Sequence, residues 1–191
     1  TTLETRTRGH GKVNVENPHS VVLVGTQPQF LASLLPDHAF GQGFMSRFLM
    51  IYAGEPTRDP IFGHAGTKPN DALWAALVHD LGMICELRGE FRVALDVQRR
   101  VDKENELGFL PKPDHPKLQH YCTRRAVHIL KVATALSAAR NNKMTVEMED
   151  YEWALSILHQ AEAEMPQIFA EMASRGYADV NNDCREFTIQ L

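Results

Sequence analysis

Three cysteines, Cys85, Cys122 and Cys184, are scattered through 191 residues. That is too few for a disulfide framework, and the absence of a C-x-x-C pair excludes a zinc knuckle. They read as free thiols in a reducing compartment. No apolar run approaches the ~20 residues needed to span a bilayer, and the opening stretch carries no signal-peptide pattern. Positive charge is not in excess: 20 Lys and Arg stand against 24 Asp and Glu, a net charge of −4. No global field therefore draws the chain onto nucleic acid or an anionic membrane, and any nucleic-acid contact must be local. No repeat or low-complexity segment occurs. There is no G-x-S-x-G nucleophile elbow, and the histidines and methionines form no metal or heme box. The absence with most consequence is the phosphate-binding loop, Gly-x-x-x-x-Gly-Lys-Ser/Thr. The one Gly-Lys pair, Gly11-Lys12, is followed by Val13 and has Arg6 where the first glycine belongs. No apolar run ends in an acidic pair that could hold Mg²⁺.

What is present reads as sheet first and helix after. Hydrophobic residues make up 43% of the chain, so a core can form. Thr5, Thr7, Val13 and Val15 alternate with polar neighbours, the pattern of exposed strands. Gly9 and Gly11 flank His10 and suit a tight turn. This predicts a β-hairpin with Arg6, Arg8, His10 and Lys12 near its tip; a disordered arm is the rival reading. Val21–Val24 is an apolar, mostly β-branched run that predicts a strand buried on both faces. It stops at Gly25-Thr26-Gln27-Pro28, and a short helix is expected from Gln29 to Leu35. Gly41 and Gly43 bracket a loop, and Phe48–Ala53 predicts a second buried strand. Gly54–Gly66 looks like a linker.

Helical periodicity takes over from Pro69. Leu73, Leu77, Leu81 and Ile84 form one stripe, widened by Trp74 and Val78, with Gly89 closing the helix. A short strand is expected at Phe91–Leu95 and a charged helix at Val97–Leu107. Pro111, Pro113 and Pro116 mark a loop. A long helix is expected from Leu118 to Arg140 and another from Glu147 to Met165. Pro166 should break or kink the latter before a last stretch to Ala173, and the remainder reads as a polar tail. Two strands do not make a stable sheet covered on both faces. The chain thus reads as a fragment of something larger, or as one half of a unit completed by a partner.

The order of four segments carries a resemblance: ETRTRGHGKV, NPHSVVLVGTQPQFL, GQGFMSRFLMIYA and TRRAVHILKVATALSAA, followed by TVEMEDYEWA. Over roughly Thr5 to Met172 this resembles the second half of an AAA+ replicative helicase motor, closest to phage-type primase-helicase proteins. The resemblance implies an α/β remnant of a P-loop AAA+ core, hairpin plus two sheet strands, over residues 1–56. A linker (57–68), a mainly α-helical lid domain (69–175) and a tail (176–191) follow. It implies ATP and Mg²⁺ bound mainly by residues outside this chain, a hexameric homo-oligomer on single-stranded DNA, and a bacterial or phage-encoded cytoplasmic protein. Thr26 or Gln27 would orient water at the γ-phosphate; the rival reading is a turn residue. Arg47 would be an arginine finger reaching a neighbouring subunit, a role suited to a permanently charged fork; the rival is a surface arginine. Arg124 or Arg125 would be the lid's phosphate-sensing arginine; the rival reading is a solvated helix face. Adjacent helical residues point about 100° apart, so only one can serve. Arg6, Arg8, His10 and Lys12 would contact the DNA backbone.

Two other readings compete. His79-Asp80 is similar to the centre of HD-type metal phosphohydrolases, with His64 and Asp150 as candidate co-ligands. A helical adaptor that binds another protein is the non-enzymatic alternative.

Overall fold

The computed structural model describes residues 2–7, 11–16, 20–28, 30–31, 43–54 and 70–189; the first two segments and residues 174–189 are described by backbone alone. The alternating segment forms two antiparallel strands, β1 (Thr2–Thr7) and β2 (Gly11–Glu16), with Arg6 opposite Lys12 and Thr7 opposite Gly11. Arg8 and His10 lie outside the described residues.

The two buried strands expected next are not strands here. Val21–Val24 has no regular structure and is exposed, Leu23 fully and Val21 at 97%. A strand buried on both faces requires neighbours on both edges, and none pairs with this run among the described residues. Phe30 and Leu31 donate to the Gln27 carbonyl, the start of a helical turn. Residues 49–54 are likewise irregular. They are held differently: Phe48, Leu49 and Met50 are half-buried against the helical body, and Tyr52 donates a hydrogen bond to Glu171.

The body is built from α1 (Asp71–Cys85), α2 (Leu95–Glu106), a single-turn α3 (Gln119–Cys122), α4 (Arg125–Asn141) and α5 (Met148–Ile189). A two-residue parallel pair, β3 (Arg92–Val93) and β4 (Thr145–Val146), ties the start of α2 to the α4–α5 connection. The long helix expected from Leu118 to Arg140 is interrupted. Thr123 Oγ1 donates to the His120 carbonyl and the Arg124 N–H to the Tyr121 carbonyl; such local bonds compete with the helical ladder. α4 ends at Asn142, whose φ of 54° is a left-handed cap that asparagine tolerates. α5 continues through Pro166, which the sequence marked as a break. Met165, Ile168 and Phe169 are buried on either side of that proline, and their packing holds both halves in one helix despite the lost backbone bond.

The core lies along α4 and α5. One cluster joins Val97, Phe109, Ile129, Ala133, Tyr151 and Leu158. A second joins Met45, Leu118, Tyr121, Ala161, Met165 and Phe169. Half-buried Leu49 packs against both. Segment 45–52 is therefore part of the helical body rather than of a sheet.

Candidate functional site

The site begins with the segment around Arg47. Met45–Arg47 forms a short 3₁₀ turn, clasped by Phe44 and Phe48, whose ring centroids are 5.0 Å apart. Gly43 enters it at φ 80°, a left-handed conformation that glycine adopts without steric cost. Its carbonyl accepts hydrogen bonds from Ser46 Oγ, at 2.7 Å, and from Arg47 Nη1. Met45 and Ser46 are buried. Burying a methionine side chain contributes about 1.5–3 kcal/mol. The Ser46 carbonyl lies 2.9 Å from His128 Nε2, so an N–H on that nitrogen donates to it from the middle of α4. Arg47 itself is exposed, and it has no carboxylate partner among the described residues. The turn thus presents a cation on an anchored base.

His128 stacks on Tyr121, centroids 5.2 Å apart and planes 19° from parallel. Burial holds its pKa below the ordinary 6.5; the Ser46 carbonyl opposes that shift, and Lys131 and Arg124 reinforce it. The ring is therefore neutral at physiological pH.

The two candidate arginines of α4 separate cleanly. Arg125 is completely buried. Its Nε and Nη2 each donate to a Glu162 carboxylate oxygen at 2.7 Å, and Nη1 donates to the Phe109 carbonyl. Tyr121 adds a hydrogen bond to Glu162 Oε1 at 2.9 Å. Burial, with Glu162 beside it, pushes the Tyr121 phenol well above its ordinary range, so it stays a neutral donor. Arg124 is only half-buried and stands at the N-terminal boundary of α4. Of the pair, only Arg124 has any surface to offer a ligand.

Thr26 and Gln27 are both exposed. His79 and Asp80 are exposed on α1, and His64 lies outside the described residues. Asp150 is committed elsewhere: Arg140 Nε donates to it at 2.8 Å and the Glu147 N–H at 2.9 Å. Burial pushes the Asp150 carboxyl up, yet these hydrogen bonds outweigh it and hold the pKa below the ordinary range. Among the described residues no three His, Cys, Asp or Glu side chains cluster as metal ligands.

A cleft of about 760 Å³ opens between loop Gly108–Pro116 and the start of α4, with Asn105, Lys112, His115, Gln119 and Thr123 in its lining. Arg125, through the Phe109 carbonyl, fixes the wall of this cleft.

Sequence reasoning missed Glu162, His128 and Tyr121. For Glu162 a signal existed: it sits between Leu158, Ala161 and Met165 on the apolar stripe of α5, and a carboxylate on such a stripe implies a buried cation. His128, between Ala126 and Ile129 on the stripe of α4, carries a weaker signal of the same kind. Compared with protein-family models, with curated proteins and with solved structures, the chain has no significant match. No helix among the described residues is long and apolar enough to cross a membrane.

Proposed function

We propose that this chain supplies the lid and the cross-subunit contacts of an ATP-driven, ring-forming DNA helicase whose phosphate-binding loop and Mg²⁺-holding acids lie outside it. The observation that carries this reading is Arg47. Its neighbours Met45 and Ser46 are locked into the helical body, while Arg47 itself is exposed, with Nη1 on the Gly43 carbonyl and no acidic partner among the described residues. A cation held out by a preorganised turn is what stabilising a transferring phosphoryl group in another subunit requires. Phosphate sensing within the chain falls to Arg124, because the Arg125 fork is filled by Glu162 and Phe109. Thr26 or Gln27, exposed beyond the apolar Val21–Val24 run, is the candidate for orienting water. The unpaired Val21–Val24 supports the reading too, since sheet neighbours from the ATP-binding half would cover it. Arg6 and Lys12, paired across the hairpin, with Arg8 and His10 between them in sequence, would track single-stranded DNA through its phosphates.

The test is ATP turnover by the assembled ring. Arg47→Ala should abolish turnover while nucleotide binding stays within a few-fold of wild type, and Arg47→Lys should restore little, since an ammonium lacks the planar fork. Unchanged turnover in Arg47→Ala would remove the finger role.

The HD-type reading finds less support, because the Asp150 carboxylate is occupied by Arg140. The adaptor reading draws on the apolar surface of α1. A phosphate-binding loop upstream in the reading frame would decide between adaptor and motor.

A further inference from the structure

Helix α1 touches α4 yet leaves most of its apolar face in water. It is 15 residues long and none of them is buried. Helices of ~12–15 residues are marginal in water without tertiary packing. The Asn70 cap, which accepts from the Leu73 N–H at 3.1 Å, contributes only about 1 kcal/mol. Meanwhile Leu73, Trp74, Leu77, Val78 and Leu81 stand 50–70% exposed. Together they leave on the order of 500 Å² of apolar surface in water, the upper range of the largest patch on a typical monomer.

The spacing of that surface describes its cover. Trp74, Leu77, Leu81 and Ile84 follow one another at alternating intervals of three and four, the seam one helix presents to another. Leu73 and Val78 flank it. Asp71, His79 and Asp80 fall outside the seam, and α1 carries no Lys or Arg. An anionic lipid surface would require basic residues beside the apolar face. Oppositely charged flanks, which would select a different helix, are also missing.

We infer that α1 is a self-association surface, covered by α1 of a second copy in an antiparallel pair. A two-fold axis near position 79 sets Trp74 of one copy against Ile84 of the other, and Leu77 against Leu81. Asp80 falls on the Leu73 flank and faces its own symmetry mate at the exposed edge, where water and salt screen the repulsion, and the two helix dipoles oppose favourably. The contact buries about 1,000 Å² in total, the lower bound for a specific interface, so association falls in the micromolar range. Such a contact is isologous and closes at two copies. It is therefore distinct from the head-to-tail boundary that the finger role of Arg47 requires.

Sedimentation velocity across a concentration series tests this on the full chain. Wild type should convert from monomer to dimer through the micromolar range. Trp74→Glu with Leu77→Asp should weaken that conversion ~30-fold or more, with a thermal melt matching wild type when both are measured as monomers, because both side chains are exposed there. For the register, chains carrying Leu77→Cys and Leu81→Cys, each also Cys85→Ser, should on oxidation form the mixed disulfide faster than either self-disulfide. Arg47→Ala should leave dimerisation untouched. A folded wild-type chain that stays monomeric through high micromolar concentration overturns the proposal, as does a dimer that persists in the Trp74/Leu77 variant.

Discussion

Glu162 is the carboxylate that meets the buried Arg125 guanidinium. It sits 4% exposed with a fully buried Arg125, and three side-chain donors converge on it. Taking both charges out of water costs several kcal/mol per ion, which their attraction offsets only while the geometry is complete. Glu162→Ala should therefore destabilise the chain by about 3–5 kcal/mol in chemical denaturation, since it strands a buried guanidinium. The double variant Arg125→Met with Glu162→Leu should lose clearly less than that single change. Equal losses would mean the pair acts through packing and not through charge. His128 gives a pH signature. Its folded pKa lies below 6.5, so as pH falls through about that value the unfolded chain binds a proton that the folded chain refuses. Stability contributed by the neutral ring is complete above this value and declines below it. In His128→Gln, which can still donate to Ser46, the slope of stability against pH below about 6.5 should flatten; an unaltered slope would place the titrating group elsewhere. Arg124 and Arg125 were indistinguishable by sequence because adjacency fixes only their relative angle, and packing against α5 decides which one turns inward.

Among the elements, the hairpin is the one whose role rests on charge placement. Its strands pair in a register that sets Arg6 beside Lys12, concentrating positive charge in a chain of net charge −4. Replacing Arg8, His10 and Lys12 together should weaken single-strand binding and flatten its dependence on salt, because fewer counterions are released. Retained affinity with an unchanged salt slope would take the hairpin out of the DNA path. Helix α2, expected at Val97–Leu107, spans Leu95–Glu106, and the hairpin alternation was equally visible, since both patterns are local. The runs at Val21–Val24 and Phe48–Ala53 look alike as sequence but meet different fates. Phe48–Met50 finds the α3–α5 body to pack on, whereas Val21–Val24 is exposed and meets no comparable surface among the described residues. Hydrophobic runs report a demand for burial and not the partner that meets it.

Among the described residues, a helical body carries an exposed arginine on an anchored turn and leaves Val21–Val24 and the apolar face of α1 exposed. If Arg47 acts across a boundary, Arg47→Ala chains mixed into wild-type rings should depress turnover more steeply than their mole fraction, because each defective copy disables its neighbour's site. The sequence by itself determined the helical periodicities, the hairpin, the absence of a phosphate-binding loop and the candidacy of Arg47, because these depend on residue identity and short spacings. Only the tertiary structure decided that Arg125 is an internal strut, that Asp150 belongs to Arg140, that Pro166 is carried within one helix, and that Val21–Val24 and the apolar face of α1 are exposed among the described residues. Those outcomes turn on which side chains meet across long sequence separations. Burial and charge pairing are settled by that three-dimensional company, which no local pattern encodes.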